Sequence, residues 1–221
     1  MIRLVLYHLA PILFPWALML LPLSLYLLFL GGYVNRRAHP MLVRGDRSFL
    51  GVVFALSGFL LIGPPSWVAD PFRAWGPYVY PIAYTCYLLL AGSLLWSYLR
   101  FQAQQTIIYN LDPDALPVVV RSALDELGLP FQATAGRIAV DEGQVVLEVE
   151  ASAAWFTATL TWLGSNRDLR TKIEDRIKHQ LTSVTTTANP CRLLLVLWGA
   201  ALLLFALVGV LDGLWFLSLQ G

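Results

Sequence analysis

The stretch FQAQQTIIYNLDPDALPVVVRSALDELG, residues 101–128, opens a polar insert that runs to Pro190. Two apolar runs flank it: residues 78–99, YVYPIAYTCYLLLAGSLLWSYL, and residues 193–217, LLLVLWGAALLLFALVGVLDGLWFL. About 20 apolar residues in a helix are enough to cross the hydrocarbon core of a bilayer. We therefore predict that residues 101–190 fold as a small domain held between two transmembrane helices.

The composition of the whole chain fits this arrangement. Of the 221 residues, 57% are hydrophobic and 13% are charged, whereas soluble domains carry about 25% charged residues. Two further apolar runs, at about 11–31 and 49–64, bring the predicted spans to four, with helices at about 79–99 and 193–217. The predicted domains are a membrane region of residues 1–100, the insert at 101–190 and a last span within 191–221.

The first apolar run has features of its own. Residues 1–9 are predicted as an interfacial lead-in, and Pro11, Pro15 and Pro22 predict a kinked first helix. A cleaved signal peptide fits less well, because no A-x-A-like cleavage site follows the apolar run. We therefore expect this segment to be a transmembrane helix that packs in a bundle.

The distribution of arginines predicts which way the chain crosses the membrane. The loop at residues 33–48 carries Arg36, Arg37, Arg44 and Arg47 against the single acid Asp46. The loop after the second span has one arginine and is rich in tryptophan and tyrosine. Short loops rich in Lys and Arg stay in the cytoplasm. The prediction is an integral protein of a bacterial inner (plasma) membrane, with residues 101–190 cytoplasmic and both termini outside.

The insert has the pattern of an α+β domain in the order β-α-β-β-β-α. Predicted strands cover residues 106–109, 131–140, 144–152 and 155–163. A helix from Pro113 to Leu127, capped by Asp112, and a helix at residues 167–184, capped by Asn166 or Ser165, complete it. Their apolar stripes are Leu116, Val119, Val120, Ala123, Leu124 and Leu127 in the first, and Leu169, Ile173, Ile177 and Leu181 in the second. We expect an antiparallel sheet of about four strands with helices on one face.

No catalytic, cofactor or metal site is predicted. The sequence lacks G-x-S-x-G, G-x-x-x-x-G-K-[ST] and H-E-x-x-H motifs. The histidines His8, His39 and His179 and the cysteines Cys86 and Cys191 are not spaced like metal ligands. Nucleic acid is not an expected partner, because 11 of the 14 acidic residues fall in the insert, against eight basic residues counted to Arg192.

Small residues in the spans predict where helices touch. Gly51, Ala55 and Gly58 share one face of the second span, and Gly209 and Gly213 form a G-x-x-x-G pattern in the last. Small side chains at this spacing let two helix backbones approach closely. Asp212, between these two glycines, is an acid within a span, and an ion-pathway role for it is the alternative to simple exposure at the outer headgroups.

The arginine cluster Arg36, Arg37, Arg44 and Arg47 has two interpretations. One is contact with anionic lipid headgroups. The other is docking to an acidic patch, either on a partner or on the chain's own Asp141, Glu142, Glu148 and Glu150. The sequence does not choose between them.

The leading functional prediction is a non-enzymatic membrane protein that presents a small cytoplasmic interaction or scaffold domain. It would serve as an accessory subunit of a larger membrane complex, with membrane lipids and other membrane subunits as partners. An alternative is a transport component or assembly factor, with a polar path along Tyr84, Thr85, Ser93 and Ser97. A membrane-embedded lipid-modifying enzyme ranks last, because paired carboxylates or histidines near the interface are missing from the sequence.

Overall fold

The structure, a computed structural model, describes residues 2–34, 36–37, 39–73, 78–134, 136–141, 143–152, 155–164, 166–186, 189 and 191–218. Side chains are described for all of these except residues 2–12, 63–73, 80, 216 and 217. The chain forms two compact units. One, the helical unit, comprises Met1–Phe29, Leu50–Ser97 and Leu194–Gly221; the other, the α+β domain, comprises Leu30–Phe49 and Tyr98–Leu193.

Four long helices carry the apolar runs. They are α1 (Ile2–Phe29), followed by a π-helical turn at Leu30–Val34, then α2 (Gly45–Arg73), α3 (Val79–Gln102) and α6 (Cys191–Ser218). Each contains a segment long and apolar enough to cross a membrane: Leu13–Val34, Gly45–Ile62, Pro81–Gln102 and Cys191–Trp215. The four predicted spans are thus confirmed as long apolar helices, whereas their orientation stays a prediction.

The first two helices are longer than predicted. Helix α1 begins at Ile2 and runs through its three prolines, and α2 extends from Gly45 to Arg73 instead of stopping near residue 64. In the apolar segment of α1 the backbone would have no water to bond with, which favours the helix despite Pro15 and Pro22. Helix α2 continues past its apolar segment, Gly45–Ile62, so most of the predicted outer loop is helical, and residues 74–77 lie outside the described residues.

The α+β domain contains a six-stranded antiparallel sheet, not the predicted four-stranded one. Its strands are β1 (Met41–Arg44), β2 (Gln105–Tyr109), β3 (Phe131–Thr134), β4 (Arg137–Val140), β5 (Val145–Ser152) and β6 (Thr157–Gly164). They lie side by side in the order β1-β2-β6-β5-β4-β3. The two additional strands have separate causes.

Strand β1 comes from the arginine-rich loop that the sequence suggested was only a connection. It pairs with β2, Leu42 opposite Ile108 and Arg44 opposite Thr106. Four residues give little strand signal by themselves, and the hydrogen-bonding partner lies more than sixty residues along the chain. The domain is consequently built from two separate segments, and the predicted boundary at residue 101 misses the first of them.

The predicted strand 131–140 is a hairpin. Its halves, β3 and β4, pair with Thr134 opposite Arg137. Gly136 lies in the tight turn with φ +76°, a conformation that costs glycine little. Its carbonyl accepts a hydrogen bond from the Val149 N–H of β5, so the turn is tied to the neighbouring strand.

Two helices cover the sheet, and their predicted stripes form the core. Helix α4 (Leu116–Glu126) buries Leu116, Val119, Val120, Ala123 and Leu124, and α5 (Arg167–Leu181) buries Ile173, Ile177 and Leu181. They meet Ile108, Leu147, Leu160 and Trp162 of the sheet in one hydrophobic cluster. Burying such side chains contributes about 1.5–3 kcal/mol each.

The helix starts show one correct and one wrong prediction. The side chain of Asn166 caps α5 by accepting the Leu169 N–H, as predicted, and the alternative cap, Ser165, lies outside the described residues. Asp112 does not cap α4. It accepts the Asp114 N–H in a turn, and the helix starts at Leu116, because Pro117, which lacks an N–H, fits the first helical turn.

Candidate functional site: an arginine-lined cavity

The predicted arginine cluster is split between different roles. Arg37 donates to the Tyr33 hydroxyl, and its guanidinium lies 4.5 Å from the centre of the Tyr33 ring. The Arg37 carbonyl accepts a 2.8 Å hydrogen bond from Asn110 Nδ2 at the end of β2. Arg36 is exposed in the adjacent turn. This part of the cluster joins the first segment of the domain to the second.

Arg44 and Arg47 flank an acid at the start of α2. Arg44 forms an ion pair with Asp46 at 3.1 Å, and Asp46 Oδ1 also accepts the Arg47 N–H at 2.9 Å. A carboxylate in the first turn interacts favourably with the positive end of the helix dipole. Asp46 therefore fixes the junction at which β1 becomes α2.

The described acidic residues of the proposed docking patch lie on β5 or in the turn before it. Glu148 forms an ion pair at 2.5 Å with Arg137, its register partner on β4. Asp141 occupies the turn before β5 with φ +51°, and Glu150 is exposed on β5. Glu142 lies outside the described residues. The first segment joins the sheet through β1, and two strands, β2 and β6, lie between β1 and β5.

The residues predicted to pack helices lie at close approaches within the helical unit. Ala55 is 1% exposed. A Cβ added at Gly51 would lie 2.8 Å from Tyr26 Cε2, and one at Gly58 would lie 2.6 Å from the Met19 Cα. At Gly209 it would lie 2.7 Å from Ala17 Cβ, and at Gly213 it would overlap Phe14. These positions leave room for α1 against α2 and α6.

A polar cavity of the α+β domain lies elsewhere on the sheet. It has a volume of about 700 Å³, within the roughly 300–1,000 Å³ of ligand pockets. It is lined by the end of β1, the last turn of α3, the end of β6 and the first turns of α5. The lining includes four arginines and one acid: Arg44, Arg100, Arg167, Arg170 and Glu174.

A hydrogen-bond network sets the floor of this cavity. Trp162 Nε1 donates to Thr106 Oγ1 at 2.9 Å, and Thr106 Oγ1 donates to Glu174 Oε1 at 2.5 Å. The same carboxylate oxygen accepts from Arg170 Nε at 3.0 Å. The Arg170 guanidinium also lies 5.4 Å from the Trp162 ring centre. Arg170 is thereby held in place, and Glu174 Oε1 is engaged by two donors.

The start of α5 adds to the positive character of the cavity. Gly164, with φ +129°, ends β6, and a Cβ there would meet the backbone of Gln144 and Val145. This lets the chain turn at once into the helix through Asn166 and Arg167, both of which line the cavity. The first N–H groups of a helix lack intrahelical acceptors and favour anions. Even with Asp46 beside Arg44, the arginines outnumber the acids.

Sequence reasoning found only Arg44 of this set. The four arginines come from four places in the chain, namely the end of β1, the end of α3 and two turns of α5, so no spacing pattern joins them. The usable signal was Arg100, the arginine at the end of the third span. The β1–β2 pairing brings this arginine and α5 to one cavity.

Other predicted residues are distributed over the molecule. His39 Nδ1 lies 3.1 Å from the Val184 carbonyl, and His179 is exposed on α5. The His8 side chain lies outside those described. Among the described residues, His, Cys, Asp and Glu side chains nowhere gather in threes that could hold a metal ion. Cys86 is exposed on α3, and Cys191 and Asp212 are half-buried on α6.

The hydroxyls suggested for a transport path bond within their own helix. Thr85 donates to the Pro81 carbonyl at 2.8 Å, Ser93 to Leu90 at 2.8 Å and Ser97 to Ser93 at 3.0 Å. All three are exposed on α3, and Tyr84 is half-buried beside them.

Comparisons of the chain with protein-family models, with curated proteins and with solved structures gave no match.

Proposed function

We propose that this chain is a non-enzymatic integral membrane protein that presents its α+β domain at one membrane face as an interaction module. In this role it is an accessory subunit of a larger membrane complex. The orientation that goes with the proposal has the domain in the cytoplasm and both termini outside, because Arg36, Arg37, Arg44 and Arg47 all lie in the domain's first segment.

The way the chain enters and leaves the domain supports a single-sided arrangement. Helix α1 runs into the first segment, and β1 passes directly into α2 at Gly45. Helix α3 ends three residues before β2, and α6 begins ten residues after α5. Four spans that cross in alternating directions would bring these four helix ends to one face. A partner bound to the domain would then act on all four spans through short connections.

The exposure of α3 is the observation that carries the accessory-subunit role. None of the residues 81–101 of α3 is buried, whereas the most apolar windows of the other three spans are each about one-fifth buried. Its exposed surface includes the small residues Gly92, Ser93 and Ser97. A Cβ added at Gly92 would meet nothing within 4 Å. Small residues whose hydroxyls bond within the helix suit the close approach of another helix.

Site-specific photocrosslinking tests this proposal. A photoreactive residue at Ser93 should crosslink to a different membrane protein in native membranes, whereas one at Ala201, exposed on α6, should not. Gly92→Leu should lower the yield of the complex recovered in mild detergent, and the matched substitution Ala201→Leu should leave it unchanged. A chain that crosslinks only to lipid or to a second copy of itself would contradict the accessory-subunit role.

A further inference from the structure

We propose that the arginine-lined cavity is a binding site for a phosphate group, carried either by a phospholipid headgroup or by a soluble phosphate compound. The inference goes beyond the proposed function, because it concerns a ligand of the chain itself and needs no partner subunit. It rests on the composition of the cavity, on the fixed geometry of its floor and on the positions of its arginines along the chain.

The composition of the cavity selects an anion. Arg44, Arg100, Arg167 and Arg170 line it together with a single acid, Glu174, whose Oε1 already accepts from Thr106 and from Arg170. Guanidinium groups present planar pairs of N–H donors that match the oxygens of phosphate. The four guanidinium groups outnumber Glu174 and the Asp46 that pairs with Arg44, so the cavity keeps a net positive character that attracts an anion.

The floor of the cavity holds one of its arginines in a fixed position. Arg170 is held by Glu174 and by the Trp162 ring, and Trp162 is 4% exposed with its indole N–H bonded to the fully buried Thr106. A side chain that is already fixed loses little conformational freedom when a ligand binds.

Two of the arginines adjoin apolar segments in the chain. Arg44 directly precedes the apolar segment Gly45–Ile62, and Arg100 lies in the last turn of the segment Pro81–Gln102. Arginines at the ends of spans reach the layer where lipid phosphates lie. A phospholipid headgroup is therefore the source that the fold favours, and a soluble phosphate compound is the other source of the same chemistry.

Calorimetric titration of the purified full chain in a neutral detergent tests the site. The probes are dioctanoyl-phosphatidylglycerol, dioctanoyl-phosphatidylcholine and inorganic phosphate. We expect the chain to bind the anionic lipid more tightly than the zwitterionic one. Arg167→Gln and Arg44→Gln should each weaken that binding about tenfold, the expected loss for one hydrogen bond to a charged group.

Controls separate binding from folding. Arg121→Gln removes an exposed arginine of α4 that does not line this cavity, and it should leave the affinity unchanged. Arg167→Lys keeps the charge and should retain part of the binding. The circular dichroism spectrum of each variant is compared with that of the unaltered chain. If either Arg167→Gln or Arg44→Gln misfolds, the other variant carries the test.

The outcomes distinguish the two phosphate sources and can overturn the proposal. Preference for phosphatidylglycerol that depends on Arg44 and Arg167 supports the lipid headgroup. Arginine-dependent binding of inorganic phosphate with no lipid preference supports a soluble phosphate compound. Equal binding by Arg121→Gln, Arg167→Gln and the unaltered chain, or no binding of phosphatidylglycerol and of inorganic phosphate, would overturn the site. Neither result bears on the accessory-subunit role, which the crosslinks at Ser93 test.

Discussion

The helical unit is packed internally through small residues, whereas the α+β domain is packed internally through large ones. In the helical unit the closest contacts occur at small residues, such as Gly58 against Met19 and Gly209 against Ala17. In the domain the core consists of large side chains, among them Leu160 and Ile173, both fully buried. In lipid there is no hydrophobic free energy to gain from bringing helices together, so they associate through close packing of their backbones. In the domain, removing apolar surface from water stabilises the core.

The comparison predicts opposite sensitivities. The domain should be damaged most by removing a side chain, and the helical unit most by adding one. Hydrogen exchange read by mass spectrometry on the full chain in detergent can follow each unit separately, because local opening is reported peptide by peptide.

The largest effect is expected from Leu160→Ala in the centre of the domain. The substitution leaves a cavity beneath β6 and should cost about 4 kcal/mol of unfolding free energy. Leu163→Ala is the control on the same strand, since Leu163 is 42% exposed, and it should cost less than about 1 kcal/mol. Exchange should accelerate throughout the domain for Leu160→Ala only. Equal effects of the two variants would mean that β6 does not face the core as described.

Gly58→Ala should be the corresponding destabilising substitution in the helical unit. The added methyl group would overlap the Met19 backbone, which a flexible side chain cannot relieve, and the expected cost is about 3 kcal/mol. Gly92→Ala is the matched control because its Cβ has open space. It should be neutral or stabilising by up to about 1 kcal/mol. If both variants are equally stable in thermal unfolding, α1 and α2 do not approach at Gly58.

Asn110 tests the junction between the two segments of the domain. It is 2% exposed with φ +59°, and its Nδ2 donates to the Arg37 carbonyl and, at 2.9 Å, to Thr186 Oγ1. Asn110→Ala loses both bonds and strains the backbone, so it should cost about 2–3 kcal/mol. Asn110→Gly keeps the backbone relaxed and should cost about 1 kcal/mol less. Denaturant titrations that rank Gly below Ala would contradict the described conformation.

The smallest effect concerns the exposed ion pair between Arg137 and Glu148. Glu148→Arg should cost only about 0.5 kcal/mol, because exposed pairs contribute little. Adding Arg137→Glu should restore the unfolding free energy, whereas adding Arg44→Glu should not, since Arg44 pairs with Asp46. Rescue by Arg44→Glu in the same double-mutant cycle would instead support docking of the arginine cluster on the acidic strands.

Local patterns in the sequence predicted the parts of the fold that local forces decide. The stripes of α4 and α5 and the cap at Asn166 depend on neighbours within a few residues, and each is confirmed. The lengths of α1 and α2 were underestimated because the predicted bounds followed the length of a membrane span, whereas both helices continue past it.

The unpredicted parts depend on partners far apart in the chain. Strand β1 exists because of β2, and the cavity exists because that pairing brings Arg44 and Arg100 to the start of α5. A single chain gives no spacing signal for such contacts. The charge of the arginine cluster suggested the orientation of the chain in the membrane and contact with lipid. The strand next to it, β1, has only four residues and was too short to predict from strand propensity.

The pairing of β1 with β2 is the central claim, and a disulfide tests it most directly. With Cys86 and Cys191 replaced, cysteines at the register partners Val43 and Ile107 should form an intramolecular crosslink under mild oxidation in native membranes. Cysteines at Val43 and Glu148, on strands that are not neighbours, should not. Efficient crosslinking of the first pair alone is the predicted result, and its absence, or equal crosslinking of the second pair, would contradict a domain built from both segments.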